Sequence, residues 1–201
     1  GNKVKLTTPD TLGADKTFKL PGADGTSGQA MVTDGNGALS FATVVATVEV
    51  DQWFLNQNAT GGIIPGTSFT RKLKIGTGMT VSQDANGRWT FPSTGIWRIS
   101  WTANFRPNAG DNVYMDVHIT KDSWSNRYWY ARAQGSGTTS NNQAKSGSNS
   151  VLFDVENIST HGFDFSSGSH SSGSYTRGYA HTNNNGLAME TTAMFERMGD
   201  T

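Results

Sequence analysis

The sequence predicts an all-β protein, a two-sheet antiparallel sandwich or jelly roll over residues 46–201 preceded by a short β-rich segment over residues 1–45. Three observations carry that prediction. Apolar residues recur with period two in several separate runs, the alternation of strands with one buried face. The 201 residues include 24 Gly but only 5 Pro, beside abundant Ser, Thr and Asn, a profile of many short strands joined by turns and nearly without helix. Turn clusters also divide the first 45 residues into pieces of only a few residues each.

In residues 1–45, short apolar pairs (Val4 and Leu6, Phe18 and Leu20, then Met31, Leu39 and Phe41) are separated by Thr8-Pro9-Asp10, Pro21-Gly22-Ala23-Asp24-Gly25 and Asp34-Gly35-Asn36-Gly37. Such spacing predicts strands of three to five residues. Alone they bury too little apolar surface to offset an ordering cost of about 1–2 kcal/mol per residue. Partner copies of the chain are expected to supply the missing surface.

Residues 43–50 (TVVATVEV) are small and β-branched, favouring an extended connection or first strand. Asp51-Gln52-Trp53-Phe54-Leu55 then opens the larger domain, a loop is expected over 58–67, and short strands over 71–75 and 79–83. Residues 86–105 form its organising stretch. Trp97, Ile99, Trp101, Ala103 and Phe105 alternate with Arg98, Ser100, Thr102 and Asn104, and a strand over 88–91 is expected to pair with them as a hairpin through Pro92-Ser93-Thr94-Gly95. After a polar turn, Val113, Met115, Val117 and Ile119 mark a strand whose expected partner is 127–133. Residues 134–149 hold no aliphatic residue larger than Ala144 and are expected to be a long exposed loop. Val151, Phe153 and Val155, then Phe163 and Phe165, restore strand pattern; a break is expected over 166–173. A final strand over 187–198 turns Leu187, Met189, Thr191, Ala193 and Phe195 to one side.

Composition narrows function. Sixteen Lys and Arg balance sixteen Asp and Glu, so no basic footprint for nucleic acid is present. No apolar run approaches the ~20 residues of a membrane span, and no membrane insertion is expected. With no Cys, neither disulfides nor thiolate metal sites can support the fold. His118, His161, His170 and His181 show no zinc-site spacing; three of them lie in Ser-, Gly- and Asn-rich stretches and read as solvated loop histidines, and His118 as outward on its strand. Ser-rich runs lack a Gly-x-Ser-x-Gly elbow. No catalytic residue, cofactor or metal is expected, and the chain reads as a non-enzyme.

The residues that stand out are Trp124, Tyr128, Trp129 and Tyr130, because aromatic faces beside polar loops suit sugar rings and protein anchors alike. Strict alternation puts Tyr128 and Tyr130 on the face of Arg132 and Trp129 opposite, so half the cluster is expected in the core. Trp124 is the member expected to be exposed.

Two resemblances follow. Leu20-Pro21, Asp24-Gly25, Gln29, Thr33-Asp34-Gly35, Gly37 and Leu39-Ser40-Phe41 make the first 44 residues resemble a shaft module of bacteriophage tail fibres and other virion proteins. In that family the module is a trimerising connector leading into a distal head. Asn86-Gly87-Arg88-Trp89-Thr90-Phe91-Pro92 with Gly95-Ile96-Trp97, His118-Ile119-Thr120-Lys121-Asp122, and Thr192-Ala193-Met194-Phe195-Glu196-Arg197-Met198 resemble the complement-head and tumour-necrosis-factor jelly roll, whose members are compact trimers. The pattern departs from the Leu-x-x-Gly-Asp usual before a late strand in those heads, since Val155-Glu156-Asn157-Ile158 stands there. Together the resemblances imply a homotrimeric virion component, with residues 1–45 as connector to other virion proteins and a head displayed for host attachment through a surface glycan or protein. The alternative within that class is a capsid decoration or head-fibre protein that binds no receptor. A depolymerase would need a carboxylate pair in a groove, and a secreted lectin-like protein is disfavoured by the lack of Cys and of an apolar leader pattern.

Overall fold

A computed structural model describes residues 17–43, 48–108, 111–136, 144–168, 173–178, 180–183 and 186–201. The expected features at Val4, Leu6, Thr8-Pro9-Asp10 and His170, and the side chains of His181, Leu187 and Met189, lie outside the described residues. The chain divides into two compact units, Gly1–Thr47 and Val48–Thr201.

In the first unit, β1 (Gln29–Thr33) and β2 (Leu39–Thr43) pair antiparallel, with Thr33 opposite Leu39. Their turn is set by side chains. Asp34 Oδ1 accepts the backbone N–H groups of Asn36 (2.8 Å) and Ala38 (3.0 Å), and Thr33 Oγ1 accepts that of Gly35 (3.1 Å). Gly37 has φ +98°, and a Cβ there would lie 2.6 Å from the Thr17 carbonyl oxygen, so only glycine fits. Among residues 17–43 none is buried.

The second unit contains β3 (Val50–Leu55), β4 (Gly62–Ile63), a 3-10 turn (Gly66–Ser68), β5 (Phe69–Ile75), β6 (Thr80–Val81), β7 (Trp89–Thr90), β8 (Gly95–Arg106), β9 (Asn112–Thr120), β10 (Tyr128–Ser136), β11 (Lys145–Val155), β12 (Gly162–Gly168), β13 (Tyr175–Arg177), β14 (Ala180–Asn183), β15 (Gly186–Met189) and β16 (Thr192–Gly199). Two antiparallel six-stranded sheets face each other, one ordered β10-β9-β12-β7-β6 with β4 beside β12, the other β11-β8-β16-β3-β5 with β13 beside β8. The fold is thus all-β, as composition and alternation require.

Between the sheets lies an aromatic core. Trp89, fully buried, stacks on Phe163 (5.7 Å, 11°) and meets Trp53 and Phe69 edge-on at 4.9 and 5.2 Å. Trp97, Ile99, Trp101, Ala103 and Phe105 all point inward from β8, as their alternation predicts.

Four expectations are corrected. β7 and β8 form no hairpin: they belong to opposite sheets, so Trp89 and Trp97 enter the core from both sides, and the 92–94 turn crosses the sandwich. Residues 134–149 are not one long loop. β10 runs on to Ser136 and β11 begins at Lys145, with Ser148 opposite Thr102 and Asn149 opposite Trp101; at a sheet edge, ladder hydrogen bonds hold small polar residues in strand form. β12 likewise continues through Ser166 and Ser167, paired on both sides, to Gly168, paired with β9. The final strand is broken at Glu190 and Thr191, because buried Thr191 donates its hydroxyl to the Arg177 carbonyl (2.6 Å) and accepts the Asn104 N–H (3.1 Å).

Candidate functional site

Three strands present a grid of polar side chains on the face of the β10-β9-β12 sheet turned away from the core. Register places Asp164, His118 and Trp129 in one row, Ser166, Asp116 and Arg132 in the next, and Gly168, Tyr114 and Gln134 in the third. β4 adds Ile63 beside Ser166. Arg127, just before β10, joins Ile63, Tyr114, Asp116, His118, Trp129, Arg132, Ser166 and Gly168 in lining a groove of ≈ 520 Å³, within the range of small-ligand sites; Asp164 is bonded to Arg127 but does not itself line the groove. Gly168 makes room for it: a Cβ there would lie 2.2 Å from the Tyr114 hydroxyl.

Two fork-to-fork ion pairs form its floor. Arg132 donates from Nε and Nη2 to the two oxygens of Asp116, both at 2.8 Å, and Arg127 does the same to Asp164 at 2.6 Å. Asp116 and Asp164 are 2% and 1% exposed, whereas about a third of each Arg side chain remains in solvent. Buried carboxylates need such partners. Arg132 also lies 3.5 Å over the Tyr114 ring and 5.7 Å from that of Trp129, and its bonds to Asp116 raise its pKa further. His118 Nδ1 is 3.3 Å from Ser166 Oγ and 3.9 Å from Asp164 Oδ1. Burial, then the positive charge of Arg127, push the His118 pKa below its ordinary 6.5, against the opposing pull of Asp164 and Asp116. At neutral pH the groove therefore carries two positive and two negative charges and a neutral imidazole. Among the described residues, no three His, Asp or Glu side chains gather as a metal would require.

The expected aromatic cluster is only partly assembled. Trp129 is 60% exposed and stands in the groove. Tyr128 (54%) is also exposed, but register sets it on the opposite face, across from Ile119. Tyr130 is the extra residue of a bulge between Trp129 and Ala131, and donates its hydroxyl to the Leu152 carbonyl at 2.7 Å. The bulge overturns the expected division: Trp129, not Tyr128 and Tyr130, shares a face with Arg132, because one extra residue resets the alternation. None of the three is core.

Trp124 is not the exposed member. It is half-buried in the β9–β10 loop, where Ser123 and Trp124 have φ of +56° and +71°. Asp122 organises that loop, accepting Thr120 Oγ1 (2.8 Å), the Asn126 N–H (3.0 Å) and Asn126 Nδ2 (2.6 Å). The Asn126 amide above all holds the Asp122 carboxyl below 3.8. Arg88 caps the Trp124 ring at 5.0 Å. His161 is no solvated loop residue either, being 6% exposed and stacked on Phe153.

Asp116, Arg127, Arg132, Asp164 and Ser166 escaped sequence reasoning as site residues. The available signal was a carboxylate set inside an apolar alternation, in Tyr-Met-Asp-Val-His and Phe-Asp-Phe. A charge at such a position is either solvated or paired across the sheet.

These features define an antiparallel jelly-roll sandwich with a polar, aromatic-flanked groove on one outer face. Solved structures give that jelly roll its kind. The chain is similar to murine APRIL at pH 5.0 (TM-score 0.53, 12% identity, covering 75% of this chain and 99% of that one) and to the Eiger TNF of S. frugiperda (TM-score 0.54, 9% identity, 78% and 96%). At such identities the likeness establishes the fold, a TNF-like jelly roll. No family model matches the sequence, and no curated protein does.

Proposed function

We propose that the chain is a non-enzymatic virion structural protein, a homotrimer in which residues 1–45 form the connector and the jelly roll is the head offered to a host surface. One observation carries the trimer: in residues 17–43 nothing is buried, while Phe18, Leu20 and Met31 are 60%, 63% and 52% exposed. A lone two-stranded hairpin is marginal in water, and winding copies of it together would cover those side chains and make stability depend on protomer concentration. The resemblance of the first 44 residues to phage shaft modules and the TNF-like fold of the head support the same reading. In the groove, both carboxylates are neutralised by Arg, an arrangement suited to holding a ligand rather than to acid–base chemistry.

Sedimentation velocity on the whole chain tests the trimer, and a trimeric mass is expected at micromolar concentration. A stable monomer in which amides of residues 17–43 resist hydrogen exchange would overturn it. Labelling of intact particles with antibody to the head tests the virion role. Particles that carry the head but adsorb equally well when it is blocked would shift the reading from attachment to shell decoration.

A further inference from the structure

Several features of the groove point to one ligand chemistry. Its polar groups are planar and pre-aimed: with the Nε–Nη2 edge of each Arg on a carboxylate, the Nη1 edge of each guanidinium points away from it, and the buried carboxylates hold the array in place. These alternate with His118 and Ser166 along two adjacent strands, giving donors and acceptors at the spacing of neighbouring positions in a sheet, about 4.5–5.5 Å between strands. A flat hydrocarbon-like surface stands at the edge, the Trp129 ring, left 60% exposed although it is the largest side chain of the strand. Net charge is zero across Arg127, Arg132, Asp116 and Asp164, so each guanidinium already has its counter-charge and draws an anion less strongly than an unpaired Arg would. A pyranose has this complementary surface, with vicinal hydroxyls that each donate and accept and a C–H face that packs on an aromatic ring.

We propose that the groove binds an uncharged sugar, a neutral pyranose at the end of a glycan, with Trp129 beneath its C–H face and Arg132, Arg127, His118 and Ser166 on its hydroxyls, the two guanidinium groups held in place by the buried Asp116 and Asp164. This deepens the attachment reading and rests on it for its biological setting, though the chemistry stands on the groove alone. Weak affinity at each head is raised when several heads engage one surface.

The whole chain is applied to an array of neutral and acidic oligosaccharides, then titrated calorimetrically with methyl β-galactoside, methyl α-mannoside, methyl α-glucoside, methyl N-acetyl-β-glucosaminide and 3′-sialyllactose. Binding of at least one neutral glycoside is expected, weakened about tenfold or more by Trp129→Ala. Arg132→Lys, which keeps the charge but loses the fork, should weaken it as well. Tyr128→Ala, on the other face of β10, should leave it unchanged. Because Trp129 is mostly exposed, its variant should unfold at the wild-type denaturant midpoint, which separates lost contact from lost fold.

Binding to no neutral sugar, binding to the acidic glycan alone, or equal affinity in Trp129→Ala each overturns the inference. Failure of the wider reading looks different: neutral-sugar binding lost in Trp129→Ala by a protein that intact particles do not carry would leave the sugar site standing and remove the virion role.

Discussion

On the outer face of β9, β10 and β12, Asp116 and Asp164 sit almost wholly out of water, each clamped by an Arg. On the outer face of β8, β11 and β16, positions of the same kind hold Ser100, Thr102, Ser150, Thr192 and Met194, with Ser100 and Ser150 hydroxyls 2.9 Å apart. Both faces rest on one core: Met115 and Val117 point inward from the first sheet as Ile99 and Trp101 do from the second. The inward positions answer to a single constraint, apolar packing. The outward positions answer to whatever each face meets. Replacing a buried ion pair by well-packed apolar groups is often neutral or stabilising, so two such pairs side by side are poorly explained by stability and well explained by a ligand. The Ser and Thr face carries an ion pair too, Arg98 with Glu196, but there the carboxylate side chain keeps 20% of its surface in solvent, so its burial makes a smaller demand.

The two faces should differ most at the carboxylates. Asp164→Ala strands Arg127 and removes the acceptor near His118; because Arg127 reaches solvent, the cost is discounted to about 1–3 kcal/mol. Ser100→Ala and Ser150→Ala on the other face should stay within about 0.5 kcal/mol. Urea denaturation of the three variants checks this. Equal costs on both faces would mean that the charged pairs are ordinary surface pairs and the contrast is empty.

How much of this was readable beforehand divides along the same line. The inward alternation of β8, β9 and β16 was plain because burial repeats every second residue and survives without knowledge of partners. What could not be read was pairing across the chain. Trp89 and Trp97 look like the two arms of a hairpin, and only the closing of both sheets around one core sends them to opposite sides. Ser146 and Ser148 look like loop because strand propensity measures half-buried packing, while ladder bonds to β8 supply what their side chains do not. The groove needed three strands from distant parts of the sequence to meet in register, and a bulge that no local pattern marks.

That bulge offers a sharper test of the same contrast. Tyr130 is surplus to the ladder, since Trp129 pairs with His118 and Ala131 with Val117. Deleting Tyr130 should therefore keep Trp129 and Arg132 on one face, at a cost of about 1 kcal/mol for the lost bond to Leu152. Deleting Ala131 instead forces Tyr130 into an inward position that holds a small side chain, an overpacking worth about 1–3 kcal/mol. Unfolding midpoints, with acrylamide quenching to follow Trp129, should rank the two deletions in that order. A buried Trp129 after loss of Tyr130 would show that the bulge, rather than the ladder, holds the groove together.

The smallest expected effect is a pH dependence confined to the charged face. His118 is surrounded by Arg127 from just before β10, Arg132 from β10, Asp116 from its own strand, and Asp164 with Ser166 from β12. Its pKa is lowered in the folded state, chiefly by burial and then by Arg127, so the unfolded chain binds more protons between the native value and 6.5. Stability from this residue is thus fully present above 6.5 and declines as pH falls through the native value. His118→Gln, which keeps a polar side chain but cannot titrate, should flatten that part of the stability profile and leave the neutral-pH midpoint nearly unchanged. Profiles of the variant and the wild type that run parallel from pH 7 to 5 would mean that His118 is as easily protonated folded as unfolded, and the groove would then carry a positive charge at mildly acid pH. In that event its match to an uncharged ligand would hold only near neutrality, and the preference for neutral over acidic sugars should narrow as the pH is lowered.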